Sequence, residues 1–184
     1  RRQLLVKRIV GMPGDVVELR DGELFVNNMP MAPSPLETRS WLVRLERGAD
    51  AHAVLKDLGL PTETSAADGE ELEVPLNESM AKALRECPGV RSVERMRSAS
   101  GHPGHIFPYS PYYKWNGDDY GPIIVPRKGD EARIDVSTLP LYDRIITRYE
   151  HNDLEVAKRT LNINGEDAKT YVIQQDYYFV MGDS

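Results

Sequence analysis

The chain has 184 residues, 40% of them hydrophobic and 28% charged, which is the balance of a folded domain and not of a disordered tail. Its 23 Lys and Arg against 29 Asp and Glu leave a formal charge of −6, which argues against nucleic acid as a partner because no basic stripe is there to collect phosphates. The single cysteine, Cys87, excludes an internal disulfide framework and any cysteine-based zinc finger, and no apolar run approaches the ~20 residues of a membrane helix.

In chain order, Arg1–Val10 clusters β-favouring apolar residues without helical spacing and predicts a strand. Gly11-Met12-Pro13-Gly14-Asp15 breaks it with two glycines and a proline. Val16–Arg20 and Glu23–Asn27 flank Asp21-Gly22, a strong hairpin signal. A proline-bearing spacer, Pro30–Pro35, follows. Trp41–Leu45 predicts a strand, Asp50–Leu58 a helix ended by Gly59, and Glu71–Val74 a further strand. Asn77 is placed to cap a helix over Glu78–Glu86 that stops before Pro88-Gly89. Val90–Met96 then closes a β-α-β-α-β order of the split-βαβ kind. The change of periodicity between the Pro30–Pro35 spacer and the Gly101–Gly104 loop marks residues 36–100 as an α+β insert that folds as its own unit. Gly101–Pro126 reads as loop, rich in Gly, Pro and aromatics. Ala132–Val136 predicts a strand and Leu139–Glu150 a helix. Arg159–Ile163 and Lys169–Ile173 flank Asn164-Gly165 as a second hairpin, and Asp176–Met181 is a last aromatic strand running into Gly182-Asp183-Ser184.

The segment Lys7-Arg8-Ile9-Val10-Gly11-Met12-Pro13-Gly14-Asp15 carries the sharpest signal. Its glycines suit a tight turn between two strands. The lysine needs a separate account, because strand alternation sets Lys7 on one face with Leu5 and Ile9. Either this is an edge strand guarded by a lysine, or the lysine is deliberately desolvated. An amine that serves as a general base must be uncharged, and burial among apolar groups favours that form. Such a base needs a nucleophile, and serine–lysine dyads are one variant of that chemistry. Elsewhere, His52, His102, His105 and His151 lack carboxylates at matched spacing, so no metal site is expected. Tyr109, Tyr112, Tyr113, Trp115 and Tyr120 read as a packed loop or a binding surface. The acidic run Asp68–Glu71 reads as a solvated loop, and Asn77-Glu78-Ser79 as a helix cap that only formally fits a sequon.

Two motifs together are recognisable. Lys7–Asp15 resembles the lysine box of bacterial type I signal peptidases (leader peptidases, a serine/lysine-dyad family), and Tyr178-Phe179-Val180-Met181-Gly182-Asp183 resembles the start of that family's Gly-Asp-Asn-Arg box. Ile106-Phe107-Pro108-Tyr109 through Gly121-Pro122, with Pro126 and Lys128-Gly129-Asp130, resembles the long-insert form from Bacteroidetes-like bacteria. The likeness covers roughly residues 1–35 and 105–183; residues 36–100 carry no recognisable counterpart.

The resemblance implies a mainly antiparallel β catalytic core, residues 1–35 and 101–184, interrupted by the α+β insert and so α+β overall. It implies Lys7 as general base, groove-facing near Gly182, a glycine packed beside it. It also implies Leu5 and Val6 as lining of the pocket for the small side chains before the cleavage site, with the family's usual aromatic replaced by Leu5. Asp183 matches an acidic residue whose ion partner is Arg8, while Ser184 stands where the family has Asn and takes no catalytic role. The nucleophilic serine of the family precedes the lysine box, so the resemblance implies an internal fragment without its nucleophile, inactive by itself. It further implies signal peptides of secretory preproteins as substrate, membrane lipid met through segments outside these residues, and a site at the outer face of the bacterial inner membrane. No metal or organic cofactor is implied. The rival expectation is a non-enzymatic β-rich binding module whose insert docks a protein partner; there Lys7 is exposed.

Overall fold

The computed structural model describes residues 5–57, 59, 70–157 and 160–183. Arg1–Leu4, Leu58, Asp68, Gly69, Arg159 and Ser184, named above, lie outside the described residues. The elements are β1 (Arg8–Gly11), β2 (Val16–Arg20), β3 (Glu23–Val26), β4 (Met29–Pro30), β5 (Arg39–Leu45), α1 (Ala51–Asp57), β6 (Glu71–Leu76), α2 (Glu78–Arg85), β7 (Val90–Arg95), β8 (Tyr120–Ile124), β9 (Glu131–Arg133), α3 (Leu139–Arg144), β10 (Leu154–Ala157), β11 (Thr160–Ile163), β12 (Glu166–Asp167), β13 (Thr170–Val172) and β14 (Phe179–Met181). The fold is mainly antiparallel β with few helices, α+β overall. Two compact units form, one of residues 1–8, 32–97 and 181–184, the other of residues 9–31 and 98–180.

The first unit is built on strict alternation. Trp41, Val43 and Leu45 of β5, and Leu72, Val74 and Leu76 of β6, are buried at every second position. They form one apolar face that packs with Leu55 of α1 and with Ala81 and Leu84 of α2. The sheet order is β6-β5-β7 and both pairings are antiparallel. β6 and β7 therefore run the same way on either side of β5, joined by α2, which is the split-βαβ arrangement. Asn77 caps α2 by accepting the Met80 amide at 2.8 Å. On the opposite face Arg44 spans the sheet, donating 2.8 Å bonds to Glu71 on β6 and Glu94 on β7.

The second unit uses short strands and tight turns. Asp21-Gly22 and Asn27-Asn28 all take positive φ (51°, 73°, 52° and 64°) and fold β2, β3 and β4 back on one another. β8 adds to the free side of β2, giving the order β4-β3-β2-β8. Residues 120–124, read as loop from their Gly and Pro, are thus a strand; Gly121 and Pro122 sit in it beside a register shift between Val17 and Leu19. The hairpin expected at Asn164-Gly165 joins β11 only to the two-residue β12. β13 (Thr170–Val172) instead pairs with β9, because Tyr171 is buried in a core with Ala132, Ile134, Ile146 and Ile173. The helix expected over 139–150 is α3 followed by one π-helical turn, Ile145–Tyr149, whose end is marked by the Glu150 amide donating five residues back to the Ile145 carbonyl at 2.9 Å.

Candidate functional site

The Gly-x-Pro-Gly-Asp part of the first motif is a corner. Gly11 ends β1 against buried side chains: a Cβ there would lie 2.5 Å from Val17 Cγ2 and 3.0 Å from Val125 Cγ2. Gly14 sits at φ 89°, a conformation glycine adopts at no steric cost. Asp15 closes the corner, its Oδ2 accepting the Met12 amide at 2.8 Å and its Oδ1 accepting Asn27 Nδ2 at 2.8 Å. The Met12 amide first, and Asn27 second, hold the Asp15 carboxyl below the usual carboxylate range. These residues therefore account for themselves as a turn.

Of the strand expected over Arg1–Val10, residues 5–7 lie outside any strand and β1 starts at Arg8. Its partner β14 has three residues, Phe179–Met181, too few to carry a ladder back along residues 5–7. The alternation that set Lys7 on one face with Leu5 and Ile9 is accordingly not realised. Leu5, Val6 and Lys7 are exposed, Val6 by 96%, so no apolar groove encloses Lys7 among the described residues.

The residue after Lys7 and the residue after Gly182 meet. Arg8 donates through Nε and Nη2 to Asp183 Oδ1 at 3.0 and 2.8 Å, across 175 residues of sequence. Arg8 Nη2 also reaches Glu37 Oε2 at 3.3 Å, and the other Glu37 oxygen is held by Arg39. Thr38 binds the Asp183 carbonyl twice, through its amide at 2.7 Å and its hydroxyl at 3.2 Å. Two guanidiniums and two carboxylates close a neutral cluster. Its members are partly exposed, so the cluster orients more than it stabilises. Sequence reasoning paired Arg8 with Asp183 but missed Glu37 and Thr38. No local signal marks them; they are ordinary residues in the stretch that leads into β5.

Other groups build structure. Among the described residues no three His, Cys, Asp or Glu side chains come together as metal ligands. Tyr113, Trp115, Tyr120 and Phe179 stack in a row with ring centres 4.5, 4.6 and 5.5 Å apart, a packed arrangement in which Tyr120 is buried. Asn116, also buried, ties the loop by accepting the Asp118 and Asp119 amides and donating to the Ala99 and His102 carbonyls. The Glu150 carboxylate, unmarked in the sequence reading, accepts the Tyr177 hydroxyl at 3.0 Å and the Tyr171 hydroxyl. Burial, and then the Glu150 carboxylate, push Tyr171 far above the normal tyrosine range; Tyr177, also burial-driven, rises to about 12. No helix among the described residues is long and apolar enough to cross a membrane.

Against known proteins, residues 1–78 match the family described as signal peptidase, peptidase S26. The match supports a relationship to a peptidase family over that stretch. It contains Lys7 and the Gly11–Asp15 corner. It also runs past residue 35, through β5, α1 and all of β6 to the first residue of α2, where the sequence reading found no counterpart, and it stops short of the Gly182-Asp183 motif. No curated protein and no solved structure matches the chain.

Proposed function

We propose that this chain belongs to a type I signal peptidase of the long-insert form, which removes signal peptides from secretory preproteins at the outer face of the bacterial inner membrane. Lys7 is the general base. A serine supplied ahead of Lys7 attacks the carbonyl carbon of a small residue, Lys7 takes the hydroxyl proton, and the bond from that carbon to the next residue's nitrogen breaks as Lys7 returns the proton to the leaving amine. Water then hydrolyses the acyl ester by the same base in reverse. Leu5 and Val6 line the pocket for the small side chain, and Gly182 gives the base a close, side-chain-free neighbour. The family match over Lys7 and its corner carries this reading. The Arg8–Asp183 pair supports it, since it joins the two motifs that the resemblance rests on.

The test is cleavage of a preprotein with Ala at −1 and −3 by the gene's product translated from its own start codon, in membranes. Cleavage that Lys7→Ala lowers at least ~100-fold, the scale of losing a general base, is expected. Cleavage indifferent to Lys7→Ala overturns the reading. A second reading, a non-enzymatic β-rich module whose α+β unit docks a protein partner, is favoured by one observation, the exposure of Lys7.

A further inference from the structure

We infer that Glu37 and Thr38 are positioning residues of the Lys7 site, through which the α+β unit sets the geometry of the two motifs. The inference rests on the peptidase reading above and adds to it a device that the motifs themselves do not contain.

Three observations carry it. First, the contacts converge on one residue from two sides. Asp183 is held at its side chain by Arg8 and at its backbone carbonyl by Thr38, whose amide and hydroxyl both donate to that oxygen. A residue fixed at both ends has little freedom left, and Gly182 is its covalent neighbour. Second, Glu37 is the most enclosed member of the cluster, its side chain 13% exposed against 33% for Arg8 and 32% for Asp183. It shares the Arg8 guanidinium with Asp183 and holds Arg39 with its other oxygen, so neither arginine is free to turn to a different carboxylate. Third, the support is rigid. Arg39 already lies in β5, and Trp41, two residues on, is buried in the sheet core with its indole Nε1 donating to the Leu76 carbonyl at 3.0 Å. The entry to β5 thus inherits its place from a packed core.

The physical consequence is that Lys7 and Gly182, each one peptide away from the Arg8–Asp183 pair, are set by a strand that belongs to the α+β unit. A base that is exposed and outside any strand cannot be oriented by its own segment. Its orientation has to come from a neighbour, and a displacement near 1 Å at a reacting group can cost about 100-fold in rate. Glu37 and Thr38 touch no reacting atom in this scheme; they act through Asp183 and Arg8.

The experiment measures kcat and KM for the preprotein with the same membrane-borne gene product. The isosteric variants Glu37→Gln and Thr38→Val are each expected to lower kcat about three- to tenfold with KM unchanged, as loss of a transition-state orientation requires. Thr38→Ser, which keeps the donating hydroxyl, is expected to retain the parent kcat. In the double variant Glu37→Gln with Asp183→Asn, the losses are expected to fall short of multiplying, because both act on one guanidinium. Cleavage that depends on Lys7 yet shows parent kcat in both Glu37→Gln and Thr38→Val overturns the inference and leaves the peptidase reading standing. A loss in Thr38→Ser equal to that in Thr38→Val also overturns it. Cleavage that does not depend on Lys7 overturns both.

Discussion

The α+β unit and the β-rich unit reach a folded state by different means. In the first, β5 and β6, of seven and six residues, alternate cleanly, and their apolar faces meet helices. Hydrophobic burial does most of the work there, since each fully buried Leu or Val contributes roughly 1.5–3 kcal/mol. In the second, no strand among the described residues exceeds five residues. Polar side chains tie its turns: Asn27 to Asp15 and the Val16 amide, Asn116 across its loop, and Glu150 to two tyrosines. Periodicity carries the information in one unit and individual hydrogen-bonding side chains carry it in the other. A core substitution should therefore weigh most in the first, and a substitution at a turn should weigh most in the second.

The largest test of that contrast is Leu84→Ala on α2. Leu84 is fully buried in the core shared with β5, β6 and β7, and truncating such a residue costs about 2–5 kcal/mol. Denaturant unfolding should show the transition of the α+β unit moved by that amount; a shift under ~1 kcal/mol would mean that the site collapses around the gap. Next is Gly11→Ala in the β-rich unit. The new methyl meets Val17, fully buried and stiff at χ1 as a β-branched residue, so relief by rotation is closed and about 1–3 kcal/mol of destabilisation is expected. Unchanged melting of Gly11→Ala would show that the corner yields.

The smallest effect is a pH dependence at the turn before α3. Asp135 is held down to about 2, first by the Ser137 hydroxyl and then by the Thr138 amide. Its depressed value means that this contribution is complete above the unfolded value of about 3.9 and is lost as pH falls through about 2. Between pH 5 and pH 2 the parent should lose more thermal stability than Asp135→Asn, which carries no titrating group there. Parallel melting curves across that range would remove the carboxylate from the account. Its side chain is more than a third exposed, so the difference is expected to be small.

Much of the α+β unit was legible because its signals are local and repeated. Helix α2 lies within a residue of its expected span, Asn77 caps it, and the β-α-β-α-β order gives the split-βαβ pairing. The β-rich unit was legible at the Gly11–Asp15 and Asp21-Gly22 turns and misread where pairing is non-local. Strand β8 hid behind Gly121-Pro122, β4 and β10 were not seen, and β13 was assigned to the wrong neighbour. A strand of three residues holds too little pattern to name its partner; the burial of Tyr171 chose β9 for it.

The candidate site divides the same way. Composition and spacing by themselves determined the corner, since Gly11, Gly14 and Asp15 have local steric and hydrogen-bonding reasons that hold wherever the chain goes next. Resemblance to a family supplied the pairing of Arg8 with Asp183. Tertiary structure alone decided that Lys7 lies ahead of β1 and exposed, because a ladder extends only as far as its partner strand. It alone also brought Thr38 to Asp183 and Glu37 to Arg8. Their side chains are ordinary in sequence. Glu37 has a local partner in Arg39, but Glu37 reaches Arg8 and Thr38 reaches Asp183 only when the core of the α+β unit fixes the start of β5. Contacts between residues 145 positions apart, as Thr38 and Asp183 are, carry no periodic or compositional trace.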